Sequence, residues 1–206
     1  MKNTKIILIR HGESLANAQR VYLGHTDWDL SDKGKAQAEA AAEYFKDEPI
    51  DVIYSSDLLR AYNTAVTHAR IHNLVINPDK DLREIFLGDW EGHRIEYISE
   101  RWDREFNFEW REQFGICNPP GGESVPHAAQ RFYNEVLRIA RLHKGKTVLI
   151  TAHAAVIRAF WGKITGTPAE DVAKNIPFPT NASASTVEFD GERLVPVTYS
   201  FDEYGS

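Results

Sequence analysis

The chain has 206 residues, a formal net charge of −6 and one cysteine, Cys117. That length favours one domain, about 70% of whose unfolded surface becomes buried. The acidic balance argues against a general nucleic-acid binder, the lone cysteine excludes an internal disulfide framework or CxxC metal pattern, and no apolar run approaches membrane-spanning length.

Residues 1–5 lead into only four apolar residues before Arg10, too few for a secretory signal core, so a cytoplasmic protein is expected. The run 5–9 is rich in Ile and predicts a buried strand that stops at Arg10-His11-Gly12. Residues 12–30 are polar and are expected to lie over the sheet edge as a functional loop. Ser31 is the expected N-cap of a helix over the alanine-rich stretch 35–45, which Pro49 breaks. A second strand is predicted over 51–54, and Asp57 is the candidate cap of a helix over 58–72 with Leu58, Ala61, Ala65 and Ala69 near helical period. Residues 74–76 are the third strand candidate.

An aromatic-rich helical insert is predicted over 95–114, carrying Tyr97, Trp102, Phe106, Phe108 and Trp110. Pro119-Pro120-Gly121-Gly122 resets the chain before a long helix over 124–143, for which Gly145 is the expected terminator. A strand over 147–151 is followed by a helix over 154–161, and Thr167-Pro168 marks one more helix start. Residues 183–189 and 194–199, joined through Asp190-Gly191, predict a closing hairpin. Strands alternating with helices predict an α/β fold, a three-layer α/β/α sandwich with a mostly parallel central sheet.

Two of the predicted strands end in histidine, at His11 and at His153. Ligands bind at the C-terminal edge of open α/β sheets, so both residues are expected in one site. The blocks Arg10-His11-Gly12-Glu13-Ser14, Ser55 to Ala61 with Thr64-Ala65, Leu82-Arg83-Glu84 with Gly88 to Gly92, Pro120 to Ser124, and His153 occur in an order that resembles the histidine phosphatase superfamily, in its phosphoglycerate-mutase-like branch. The likeness runs from Ile6 to about Gly166, and implies one domain over 1–206 with a lid-like insert at about 93–120.

What the resemblance implies is metal-free hydrolysis of a small phosphomonoester, without a cofactor, through a phosphohistidine on His11. Arg10 and Arg60 would grip the phosphoryl oxygens, and His153 would add a donor as an imidazolium beside the phosphate dianion. Glu84 matches the general acid. Asn17, Gly24 and the backbone of Ala154 match substrate-binding positions. Neither nucleic acid nor membrane is an expected partner, and association as a homodimer stays open.

An Asn in a loop often only caps a turn, as Asn17 would. His68 and His72 have the i, i+4 spacing of a zinc pair but no glutamate between them, and are expected near a helix C-terminus whose dipole favours imidazolium. Gly145-Lys146-Thr147 imitates a P-loop ending yet precedes a strand. Ala154-Ala155 stands where many relatives read Gly-Gly, and Ala16 where they carry tryptophan, which is expected to widen the pocket. The alternative activities are a phosphoglycerate-mutase-type transfer and a non-catalytic phosphate sensor. The insert disfavours the mutase, because residues 93–118 hold four arginines against six acids and suit a bisphosphate poorly.

Overall fold

In the computed structural model, which describes residues 2–204, six strands form one sheet in the order β3-β2-β4-β1-β5-β6. They are β1 (Thr4–Arg10), β2 (Val52–Ser55), β3 (Ile76–Pro78), β4 (Thr147–Ala152), β5 (Ala184–Phe189) and β6 (Leu194–Phe201). The helices between them include the short α1 (Leu15–Ala18) and α4 (Ile95–Arg101) besides the four that cover the sheet. The first four run parallel, and β5 is antiparallel to both β1 and β6.

Alternation along β1 divides the core into two layers. Ile6 and Leu8 join Val148, Ile150 and the faces of α5 (Val125–Leu142) and α6 (Ala154–Thr165). Ile7 and Ile9 join Leu149, Ile53, Phe45 and Ala65 beneath α2 (Asp32–Tyr44) and α3 (Leu59–His72). A strand buried on both faces reads as a continuous apolar run, which is the pattern of 5–9. The sandwich expected from the sequence is therefore present.

Several local expectations needed correction. Asp57 does not cap α3, whose N-cap Leu58 has no side-chain bond. Its carboxylate instead takes a two-pronged contact from Arg83, at 2.6 Å on each oxygen. The third strand is displaced to Ile76–Pro78. Helix α5 stops at Leu142, before Gly145, which turns the chain into β4 with φ of +75°. Helix α6 runs on to Thr165, where Gly166 closes it in the left-handed region. The start expected at Thr167-Pro168 gives only short turns at Ala169–Asp171 and Val172–Asn175. His68 is fully buried against Phe45, so burial pushes its pKa down to about 3, away from the imidazolium expected there.

Ser31 does cap α2, its hydroxyl accepting from the Gly34 amide at 3.0 Å. This helix start abuts the loop after β1. A Cβ on Gly34 would lie 1.9 Å from the Glu13 carbonyl oxygen, and one on Gly12 would lie 2.2 Å from that of Gly34. Alanine normally stabilises a helix by about 1 kcal/mol over glycine. Here the backbone contact reverses the sign, and Gly34→Ala is expected to cost about 1–3 kcal/mol, the usual range for overpacking. Urea unfolding checks this; a variant more stable than the parent contradicts it.

Candidate active site

Parallel register builds the site. Arg10 pairs with Ala152, so the next residue of each strand, His11 and His153, emerges at the same edge. The His11 amide donates to the Ala152 carbonyl at 2.9 Å, and the two imidazoles meet edge to face with centroids 5.3 Å apart. Next door, Ser56 follows β2 and places its hydroxyl 2.8 Å from His153 Nε2.

His11 Nδ1 lies 2.7 Å from the Gly12 carbonyl oxygen. A carbonyl only accepts, so Nδ1 carries the hydrogen and, in the neutral ring, Nε2 keeps its lone pair. Burial first, then the Arg60 and Arg10 charges, hold the His11 pKa well below its ordinary value. The His153 pKa is likewise lowered by burial, Arg60 and His11, which favours the neutral ring in the free protein; the imidazolium expected beside a phosphate dianion belongs to the occupied site.

The two arginines reach the cavity from different elements. Arg10 ends β1; its Nη1 donates to the Pro179 carbonyl at 2.6 Å, and its buried Nε has no partner among the described residues. Burial brings its pKa down to about 10. Arg60 stands in the first turn of α3, 2% exposed, and donates to the Gly24 and Thr26 carbonyls at 2.7 and 3.1 Å. One turn on, Thr64 Oγ1 accepts from the Gly12 amide at 3.1 Å, which ties the loop after β1 to the same helix face.

Glu84 approaches from an irregular segment. Its Oε2 accepts from the Ala155 amide at 3.0 Å, and its Oε1 from Val156 at 2.8 Å and Ile85 at 2.9 Å. The carboxylate thus caps α6 from outside the helix, in place of the side chain of its N-cap His153. Among the described residues this leaves the Ala154 amide without a protein acceptor at the helix N-terminus.

All eight sequence-predicted residues converge. A cavity of about 280 Å³ is lined by Arg10, His11, Asn17, Gly24, Arg60, Glu84 and Ala154, together with Ser14, Arg20, Tyr22 and Ala155. His153 lies beneath it, fully buried against His11. Asn17 also closes a capping box, its Oδ1 accepting from the Ser14 amide at 3.1 Å, so its Nδ2 is the group able to donate to a ligand. Ala16 is fully buried and does not line the cavity, so it does not widen it.

Val21, Leu23, Leu87, Ile95, Trp110 and Phe178 form the apolar wall. The aromatics of the insert divide: Phe106, Trp110 and Phe114 are buried and pack edge to face with one another or with Trp90 from the preceding segment, whereas Tyr97 and Phe108 are exposed. Only Ile95 and Trp110 from it reach the cavity.

Sequence reasoning passed over three contributors. Glu91 takes the His25 and Thr26 amides at 2.7 and 2.9 Å and shapes the loop whose carbonyls hold Arg60. A Cβ on Gly24 would sit 2.0 Å from the Glu91 carboxylate, at a φ of +51°, which explains that glycine. Glu91 lies in the Gly88 to Gly92 block but has no role legible there; Phe178 in the wall and Arg131, whose guanidinium donates to the Glu84 carbonyl at 3.2 Å, carry no local signal at all.

The family model of the histidine phosphatase superfamily (branch 1) matches residues 6–202. The chain belongs to that superfamily. It is similar to phosphoserine phosphatase 1 of Hydrogenobacter thermophilus, 34% identical over 93% of this chain and 89% of that protein. Phosphoglycerate mutase-like protein 4 of Arabidopsis thaliana is 33% identical over 92% and 81%. The mycobacterial glucosyl-3-phosphoglycerate phosphatase, solved with VO3, superposes with a TM-score of 0.88 at 29% identity, covering 96% of this chain and 98% of that one. This histidine phosphatase thus has relatives named both as phosphatases and as mutase-like.

Proposed function

We propose that the protein hydrolyses small phosphomonoesters through a phosphohistidine on His11. The observation that carries this reading is the state of His11: neutral, with its proton on Nδ1, beside two guanidiniums and a carboxylate lining the same cavity.

In the first step Nε2 attacks phosphorus and the bond to the leaving oxygen breaks, while Glu84 gives that oxygen a proton. Arg10, Arg60 and the Ala154 amide meet the phosphoryl oxygens, and Asn17 adds an amide donor. In the second step water attacks phosphorus, the P–N bond returns its electron pair to Nε2, and Glu84 takes the proton of the water. Oε1 already accepts two amides and Oε2 one, so Oε2 is the oxygen with a lone pair free to hold the transferred proton. His153, steadied by Ser56, packs against His11 and becomes a donor to phosphate once the dianion supplies the missing negative charge.

The cavity volume supports a small leaving group, and its wall an apolar or partly apolar one. Arg20 is the one further cation of the lining, and it is paired with Glu96 at 3.0 Å. With the acidic insert, that supports a hydrolase over a mutase holding a second phosphate. The reading takes 93–120 as an insert closing one side of a single-domain phosphatase. It also places the protein in the cytoplasm, without nucleic-acid partners; no helix among the described residues is long and apolar enough to cross a membrane.

Metal-free turnover is part of the proposal, since guanidiniums supply the positive charge. Among the described residues the one cluster with metal-ligand spacing is Asp79, Asp81 and Glu135, away from the cavity lining and with two of its three carboxylates paired to Arg138. With excess chelator present, a brief reaction quenched in base is expected to leave phosphate on His11, because phosphohistidine survives base. Label on a serine, or activity that returns only with added divalent metal, contradicts the proposal.

Glu84→Gln keeps the shape and removes the proton. It is expected to lose roughly 10²-fold or more on an alkyl phosphate, the usual scale of general acid–base catalysis, because an alkoxide is a poor leaving group. On p-nitrophenyl phosphate it should give a burst of about one equivalent and then slow turnover. Equal losses on both substrates without a burst would remove Glu84 from this role.

A further inference from the structure

Glu84 lies in residues 83–87, which have no regular secondary structure, so no backbone ladder fixes its position. What fixes it is a guanidinium from another layer. Arg131, on α5, donates from Nη1 to the Asp81 and Arg83 carbonyls at 2.9 and 3.1 Å, and from Nη2 to the Glu84 carbonyl at 3.2 Å. Its Nε and Nη2 also grip both oxygens of Glu123, at 2.9 and 2.7 Å. Five N–H donors thus meet five acceptors, a pattern only arginine can supply.

Neither Arg131 nor Glu123 lines the catalytic cavity. Glu123 adds a second tie to the segment, its amide donating to the Phe86 carbonyl at 2.7 Å. His25 Nε2 also donates to the Glu84 carbonyl, at 2.9 Å. The backbone of Glu84 is therefore held on one side by side chains and its carboxylate on the other by the N-terminus of α6. A small displacement of the backbone would move the carboxylate relative to the leaving oxygen, and misplacement by about 1 Å is known to cost on the order of 10²-fold in rate.

We infer that Arg131, oriented by Glu123, is a positioning residue that sets the Glu84 carboxyl against the leaving group. The inference rests on Glu84 being the proton donor. It gives the Pro120 to Ser124 block a part in the chemistry although that block is remote from the reacting atoms.

The test compares Arg131→Met, Glu123→Gln, Glu84→Gln and the Arg131→Met/Glu84→Gln double variant on an alkyl phosphate and on p-nitrophenyl phosphate. Arg131→Met is expected to lower kcat/KM between about ten- and a hundredfold on the alkyl ester and less than about threefold on the aryl ester. Glu123→Gln, which leaves the guanidinium in place but loosens it, should show the same selectivity in weaker form, and carries the test if Arg131→Met does not fold. In the Glu84→Gln background, Arg131→Met should add no further discrimination between the two esters. Equal losses on both esters from Arg131→Met and Glu123→Gln, with Glu84→Gln still discriminating, would overturn the positioning role alone. A Glu84→Gln variant that does not discriminate would overturn the proton-donor reading and this inference with it.

Discussion

Two guanidiniums are drawn out of water beside two buried imidazoles, and neither is given a salt bridge among the described residues. Removing such charge from water costs several kcal/mol per ion unless it is compensated. The compensation here is by dipoles: the Gly24 and Thr26 carbonyls for Arg60, and the Pro179 carbonyl for Arg10. The long loop after β1 and the segment before β5 are shaped by the need to present those carbonyls. Glu91 in turn is placed to hold the first of them. An electropositive pocket with its donors already fixed meets a phosphoryl dianion with little reorganisation, the condition under which electrostatic stabilisation is strongest.

The same charge decides the state of the histidines. Cations nearby and burial both disfavour imidazolium, so His11 is held neutral where a nucleophile needs its lone pair. Its tautomer follows from one carbonyl, that of Gly12, and the position of that carbonyl follows from the close approach of Gly12 to Gly34. A packing contact at a helix start therefore reaches the reacting ring through the Gly12 carbonyl.

Much of this was legible in the residues because the signals were local. The apolar run before Arg10 gave the strand, Ser31 the start of α2, and the paired strand-end histidines the site. The failures came where a distant partner outcompeted a local preference. Asp57 has the chemistry of an N-cap, yet the two-pronged contact from Arg83 took its carboxylate. His68 has the place of an imidazolium near a helix C-terminus, but Phe45, at the end of α2, packs on it and it is fully buried. Arg131 and Phe178 join the site only through tertiary packing, which spacing along the chain does not encode. The aromatic insert was ambiguous for a related reason: helical spacing of large side chains serves a core and a cavity wall alike, and here Trp110 does both.

The central claim is that burial, Arg60 and Arg10 keep His11 neutral with its proton on Nδ1. The direct measurement is the ¹⁵N spectrum of the imidazoles of the free protein, assigned with His11→Gln and followed from about pH 5.5 to about pH 8, the range in which an ordinary histidine titrates. The account predicts that His11 stays a neutral Nδ1–H tautomer throughout. A His11 that titrates near the ordinary value of 6.5, or that carries its proton on Nε2, would contradict it.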